Sequence, residues 1–244
     1  MSANLMSLAQ SGGKFLKLFG DRKMVKTMPT ARDYVQDGLI AMWDGIENAG
    51  WGVHDPNATG WKDLIGGETV SSPSIIFTDN SLSLDGSYYM VGSKSYYANN
   101  GYSLEIVFSA HTSPPSGSAV VVFGSYKGCG INWQDQWQWQ VNIGGAWHYI
   151  GWPEKINQVS MTLDKNGRVV YCHENQGYYE MSLSPFSYPY EVGRVNIGKG
   201  WNQVKTFDGE INCIRFYGRD LAQDEIAANY AIDKARFNLP DKTI

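Results

Sequence analysis

The sequence predicts an all-β fold: an antiparallel two-sheet jelly-roll sandwich with one C-terminal helix and an N-terminal basic arm. Three observations predict it. Short apolar or alternating runs follow one another at close spacing. Two of them are joined to their neighbours by turns that fix a hairpin register. A single segment of helical period comes late, after the strands. A chain of 244 residues fits one such domain, since all-β sandwiches reach roughly 200–250 residues as a single unit.

The strands begin after Gly38, with the apolar run 39–43. Residues 44–73 are rich in Gly, Asn, Asp and Pro and read as a long loop. Short strands are expected at 74–78, 81–84 and 87–91. Segment 102–110 alternates, with Leu104, Ile106 and Phe108 on one side. A turn at 111–118, containing Pro114 and Pro115, leads to the Val-rich strand 119–123.

The first hairpin is registered on Asn166-Gly167 as a two-residue turn. Leu163 then opposes Val170, and Met161 opposes Cys172. Directly paired residues share a face, so Val159, Met161, Leu163, Val170 and Cys172 form the buried side. That makes Cys172 a core residue rather than a reactive thiol. Thr162 with Tyr171 and Ser160 with His173 form the other side. The second hairpin turns on Gly144-Gly145. Asn142 opposes Trp147, Gln140 opposes Tyr149 and Gln138 opposes Gly151. Val141 with His148, Trp139 with Ile150 and Trp137 with Trp152 make an apolar face for the core. Gln136, Gln138, Gln140, Asn142, Trp147 and Tyr149 lie on the opposite face. A last strand is expected at 207–217 and a helix over 220–237. Leu221, Ile226, Ala227, Tyr230 and Ala231 make its apolar side.

Net charge is −4, with no global basic field that would suit nucleic acid. The charge is uneven. Residues 1–32 hold six positive side chains and one negative, whereas the remainder holds fourteen positive and twenty-three negative. Residues 1–33 therefore read as a separate basic arm, an attachment segment, followed by a body at 34–237 and a tail at 238–244. In the arm, Lys14, Phe15, Leu16, Lys17, Leu18 and Phe19 have the spacing of one or two amphipathic turns, with Arg22 and Lys23 following. So short a helix orders only against a partner. Three cysteines give no disulfide framework and fit assembly in a reducing compartment. No run reaches the roughly 18–20 apolar residues of a membrane span, and no signal peptide is evident.

Five segments, in order, resemble a known family. They are Gly38-Leu-Ile-Ala-Met-Trp-Asp-Gly45, Leu84-Asp-Gly-Ser-Tyr-Tyr-Met-Val91, Tyr102-Ser-Leu-Glu-Ile-Val-Phe108, the hairpin over 157–174, and Phe207-Asp-Gly-Glu-Ile-Asn-Cys-Ile-Arg-Phe-Tyr217 followed by Arg219, Asp220, Leu221, Asp224, Glu225 and Ile226. Together they resemble the laminin G-like, concanavalin A-like lectin/glucanase superfamily, in its bacterial and phage branch. The departure is Ala222, where the family places a Ser or Thr helix cap. Asp220 or Asp224 would compensate near the helix start. The resemblance implies two antiparallel sheets, one concave. It covers lectins, adhesion modules, virion appendage domains and some endoglucanases, so the fold does not fix the activity.

Catalytic members of that fold place their acids on one strand, as Glu-x-Asp-x-Glu or Glu-x-Asp-x-x-Glu. Alternate spacing sets such acids on one face, where two carboxylates about 5–5.5 Å apart perform retaining hydrolysis. This sequence contains no such run, so no enzyme activity is expected. The four histidines are scattered, and the glycine-rich stretch 124–130 lacks the Lys-Ser/Thr ending of a phosphate loop. No cofactor is expected. Ca²⁺ held by Asp44, Asp55, Asn57 and Asp63 is the weaker alternative to ordinary turn chemistry in that loop.

The most informative patch is the Gln136, Gln138, Gln140, Asn142, Trp147 and Tyr149 face. Amides donate and accept together, and aromatic rings offer flat apolar area to the C–H faces of sugars. A solvated sheet face and a subunit interface, which also draws aromatics, are its competitors. The expected function is a non-catalytic phage virion-associated protein. Its arm would dock on other virion proteins, and its sandwich would bind glycans or cell-surface polysaccharide. Rival readings are a purely structural, homo-oligomer-forming component, a bacterial surface adhesin and, least favoured, a glycan hydrolase.

Overall fold

The computed structural model describes residues 27–239 except 112–117, 125–127, 136–137, 144–145, 152–155, 175, 186 and 201–204. The arm residues Lys14 to Phe19, Arg22 and Lys23 lie outside this range, as do Gln136 and the Gly144-Gly145 turn.

A single 3-10 turn at Ala31–Asp33, sixteen strands and then one α-helix follow in order among the described residues. Eight form one antiparallel sheet: β1 (Leu39–Asp44), β4 (Ile76–Phe77), β5 (Leu82–Asp85), β7 (Gly101–Ala110), β12 (Gln158–Asp164), β13 (Arg168–His173), β14 (Gln176–Ser182) and β16 (Asp208–Tyr217). Its order is β14-β13-β12-β7-β16-β5-β4, with β1 pairing to β16. Six form the facing sheet: β6 (Met90–Ala98), β8 (Ala119–Phe123), β9 (Cys129–Asp135), β10 (Gln138–Ile143), β11 (Ala146–Gly151) and β15 (Tyr190–Ile197). Its order is β11-β10-β9-β8-β15-β6. The expected loop 44–73 contains a small strand pair, β2 (Gly60–Lys62) with β3 (Thr69–Ser71).

The main core lies between the sheets. Alternation on β7 sends Tyr102, Leu104, Ile106 and Phe108 into it, while Ser103, Glu105 and Val107 point the other way. Trp43, Tyr96, Phe123 and Phe216 form its aromatic centre. Phe123 and Phe216 stack at 4.5 Å, and Tyr96 meets both edge-on.

A second core lies on the outer side of the eight-stranded sheet, beneath α1 (Gln223–Phe237). Its apolar members include Met42, Val107, Cys213, Tyr217, Ile226 and Phe237. The helix face differs from the one the apolar pattern predicts. Ile226, Asn229, Asp233, Arg236 and Phe237 are buried, and Ala231 is exposed. Three of those five are polar and reach partners. Arg215 on β16 donates two bonds of 2.7 Å to Asp233 and one of 3.0 Å to Glu105. Asn229 donates to Glu105 at 2.7 Å, and Arg236 donates to Asp44 at 2.6 and 3.0 Å. Burial pushes the Glu105 and Asp44 carboxyls above their ordinary values, with Arg215 and Arg236 opposing the shift.

The body begins earlier than residue 34. Ala31 is fully buried, and its N–H donates to Glu47 at 2.8 Å. The Tyr34 hydroxyl donates to Asp233 at 2.8 Å, the Val35 N–H donates to Asn229 at 2.9 Å, and the Arg32 guanidinium sits 4.3 Å from the Trp51 ring centroid. Residues 30–35 are thus fastened to the helix side of the sandwich.

The first hairpin is offset by one residue from the predicted register. Met161 pairs with Tyr171, Leu163 with Val169 and Ser160 with Cys172. The loop has three residues, because Gly167 adopts φ +87° and the Asp164 carboxylate accepts the Asn166 and Arg168 N–H groups at 2.8 Å each. That geometry is a three-residue loop with glycine at the left-handed position, not a two-residue turn. Val169 and Tyr171 therefore join Met161 and Leu163 in the main core, and Cys172 is buried in the second.

Candidate functional site

The outer face of the six-stranded sheet carries no covering helix among the described residues. Register across its strands defines the face position by position. Trp147 pairs with Asn142, Asn142 with Gly130, Gly130 with Val122, Val122 with Asn196 and Asn196 with Val91. Directly opposed residues share a face, so these six positions form one row running from edge strand β11 to edge strand β6. A parallel row places Tyr149 opposite Gln140 and Gln140 opposite Asn132. The alternate residues Ile143, Ile131, Cys129, Val121, Phe123, Val195 and Ile197 all point into the main core.

The predicted pairs Asn142–Trp147, Val141–His148 and Gln140–Tyr149 are present. The predicted pair Trp139–Ile150 is not, since a bulge puts Trp139 opposite Gly151. The same bulge separates Gln138 from its predicted partner Gly151. Gln138 lies opposite Asp135 on β9. The backbone thus brings Gln140, Asn142, Trp147 and Tyr149 together on two paired strands, and Gln136 lies outside the described residues.

At the other end of the face is a depression of about 440 Å³ lined by Val91, Ser95, Gly124, Glu191, Gly193, Arg194 and Asn196. Its floor is two glycines with positive φ, Gly124 at +72° and Gly193 at +106°. A Cβ on Gly193 would sit 2.5 Å from the Gly124 Cα, and a Cβ on Gly124 would collide with the Val192 carbonyl oxygen. Only glycine allows that backbone approach, and it leaves the floor bare of side chains. Ser95 opposes Arg194, and Tyr97 opposes Glu191. Tyr97 and Tyr89, both more than two-fifths exposed, bracket the depression along β6, and the Lys199 Nζ stands 4.3 Å from the Tyr89 ring centroid. Elsewhere on the face, Asn132 carries a buried side-chain oxygen with no hydrogen-bond partner among the described residues, the kind of atom that normally finds one.

These residues, Ser95, Tyr97, Asn132, Glu191, Arg194 and Asn196, were not marked by the sequence pattern. Segment 175–206 carries no hairpin turn of recognisable type, and the floor needs two glycines about seventy positions apart. The expected strand at 87–91 meets only the start of β6, which runs on to Ala98.

The other concentration of charged side chains is structural. Glu105, Arg215 and Asp233 are fully buried beneath α1 and bonded to one another. Perturbed carboxylates often mark active sites, but these have no route to a substrate. The three aspartates among the Ca²⁺ candidates are likewise taken up by the backbone and by side chains, and Asn57 is exposed. Asp44 binds Arg236 and accepts the Ile46 and Glu47 N–H groups. Asp63 accepts the Met42 and Ile65 N–H groups and the Tyr96 hydroxyl. Asp55 accepts the Asn57 N–H in a local turn. Among the described residues, no group of three or more His, Cys, Asp or Glu side chains is placed to hold a metal ion.

No family model and no curated protein sequence matches the chain. Solved structures do match in fold. Trypanosoma rangeli sialidase with bound 2,3-difluorosialic acid aligns at a TM-score of 0.61 and 15% identity, over 93% of this chain and 39% of that one. Domain 4 of AbnA, a GH43 extracellular arabinanase from Geobacillus stearothermophilus in complex with arabinotriose, aligns at 0.56 and 14% identity, over 79% of this chain and 98% of that one. The binding domain of botulinum neurotoxin DC in complex with rat synaptotagmin II aligns at 0.59 and 11% identity, over 82% and 52%. The chain thus spans about two-fifths of the sialidase's length. At these identities the likeness shows the fold alone: the chain is an antiparallel β-sandwich of the kind seen in those structures.

Proposed function

We propose that the chain is a non-catalytic binding module that takes glycans on the outer face of its six-stranded sheet. The observation that carries this reading is the register. It joins the Gln140, Asn142, Trp147 and Tyr149 hairpin to Asn132, Asn196 and the glycine-floored depression on one continuous face. Amide and guanidinium groups suit hydroxyl recognition, and exposed tyrosines suit the apolar side of a sugar ring. The arabinanase domain, of nearly the same extent as this body, was solved with a trisaccharide, which supports a glycan ligand.

Two features support binding without catalysis. The sequence has no Glu-x-Asp-x-Glu run, and among the described residues Glu191 is the one carboxylate lining the depression, whereas hydrolysis by paired carboxylates needs two. A glycan array tests the reading. Wild type is expected to bind at least one polysaccharide class, and Trp147→Ala and Asn196→Ala to lose most of that signal while remaining folded. Wild-type silence on the array, or reducing-sugar release from a bound polysaccharide, defeats it.

The setting proposed for this module is a phage virion, with the basic N-terminal residues docking on other virion proteins. The excess of positive charge in residues 1–32 supports it. Deleting residues 1–26 is expected to remove the protein from purified particles and leave glycan binding intact. Normal incorporation of the truncated protein rules that role out.

A further inference from the structure

Resting on the glycan-binding reading, we infer that the face takes an internal stretch of an extended, linear polysaccharide lying across the strands, with the Gly124–Gly193 depression as a subsite at the far end from Trp147 and Tyr149. Six strands at about 4.8 Å spacing make the row about 24 Å long, the length of several linked sugar rings. A single terminal sugar would occupy only a fraction of it.

The distribution of residues along the row points the same way. Aromatic residues stand at both ends: Trp147 and Tyr149 on β11, Tyr97 and Tyr89 at β6. Between them the row runs through Asn142, Gly130, Val122 and Asn196, with Asn132 in the parallel row beside it, so that amides stand on three different strands. Both ends of the row are edge strands, so a chain can enter over one edge and leave over the other.

The depression has the chemistry of one subsite. Arg194 and the Ser95 hydroxyl donate, Glu191 accepts, and Asn196 does both. A sugar ring presents hydroxyls of both kinds around its rim. The bare glycine floor lets the ring approach the backbone, and the exposed Tyr97 stands next along β6, opposite Glu191. The bulge of β15 against β6 between Glu191 and Gly193 sets Glu191 on the same face as Arg194 and Asn196.

The test is a size series from disaccharide to hexasaccharide, prepared from the polysaccharide that the array returns and titrated by calorimetry. Kd is expected to fall by about tenfold or more across the series and to level off once the row is filled. Trp147→Ala at one end and Tyr97→Ala with Asn196→Ala at the other should each weaken hexasaccharide binding about tenfold. Circular dichroism and thermal unfolding confirm that each variant is folded. Equal affinity for disaccharide and hexasaccharide overturns the inference, as does a hexasaccharide affinity that responds to one end alone. Both results leave the binding reading standing, whereas silence on the array removes the binding reading itself.

Discussion

Asp233 shows how much of this fold rests on single polar side chains. Its two oxygens accept both terminal nitrogens of Arg215, and one of them also accepts the Tyr34 hydroxyl. The Arg215 carbon lies 4.0 Å from the Tyr34 ring centroid, so ring, guanidinium and carboxylate are packed as one unit. Removing the carboxylate leaves a fully buried guanidinium with one anionic partner, Glu105. Asp233→Ala is therefore expected to cost about 3–5 kcal/mol, measured as a lower urea midpoint with an unchanged slope. None of this was legible in the helix pattern, which predicted a face of Leu221, Ile226, Ala227, Tyr230 and Ala231. Apolar periodicity finds a helix but misassigns its buried side when polar residues there satisfy one another.

At the scale of elements, the hairpins and the helix start separate what local sequence determines from what it leaves open. The 138–151 hairpin keeps its predicted pairing near the turn, because Ile143 and Ala146 flank a two-residue connection, and departs from it only past the bulge. The 158–173 hairpin is displaced by one residue because Asp164 holds a wider loop than Asn-Gly alone implies. A one-residue slip reverses every face assignment on one strand, which is why Cys172 is buried as predicted but in the other core. At the helix start, Ala222 offers no side-chain cap. Glu225 reaches back instead, accepting the Ala222 N–H at 2.9 Å, and Arg219 grips it through both terminal nitrogens at 2.8 and 2.6 Å. Arg219 holds the Glu225 carboxyl below its ordinary value of 4.5. A lowered folded-state value contributes stability above pH 4.5 that disappears as pH falls through the lowered value. Glu225→Gln keeps an acceptor for Ala222 but loses the charge. It should be less stable than wild type by no more than about 1 kcal/mol at neutral pH, and thermal unfolding from pH 7 to pH 2 should show the gap closing below pH 4.5.

Over the whole molecule, the sandwich class and the order of most strands follow from local patterns, and the candidate site follows only in part. The hairpin half of the face was visible because its members are near neighbours in sequence. The depression was not, because Ser95, Gly124 and Arg194 meet only through pairings of β6, β8 and β15 that no turn announces. The body's starting point was similarly hidden. Charge alone sets the arm apart at residue 33, whereas Ala31 and Tyr34 are inside the fold. Truncation at 26 should leave the unfolding midpoint where it is. Truncation at 34 removes the Ala31 bond to Glu47 and the Tyr34 bond to Asp233, and should lower the midpoint measurably.

That fastening also gives the molecule a front and a back. The chain comes onto the body at Thr30, on the helix side, where Glu47, Asn229 and Asp233 hold the next residues in place. The six-stranded sheet faces the opposite way. A support placed against the helix side would leave the row from Trp147 to Val91 turned toward the surroundings. Copies held side by side would then present parallel rows at high local concentration, so that contacts too weak to hold one module singly would add into durable attachment.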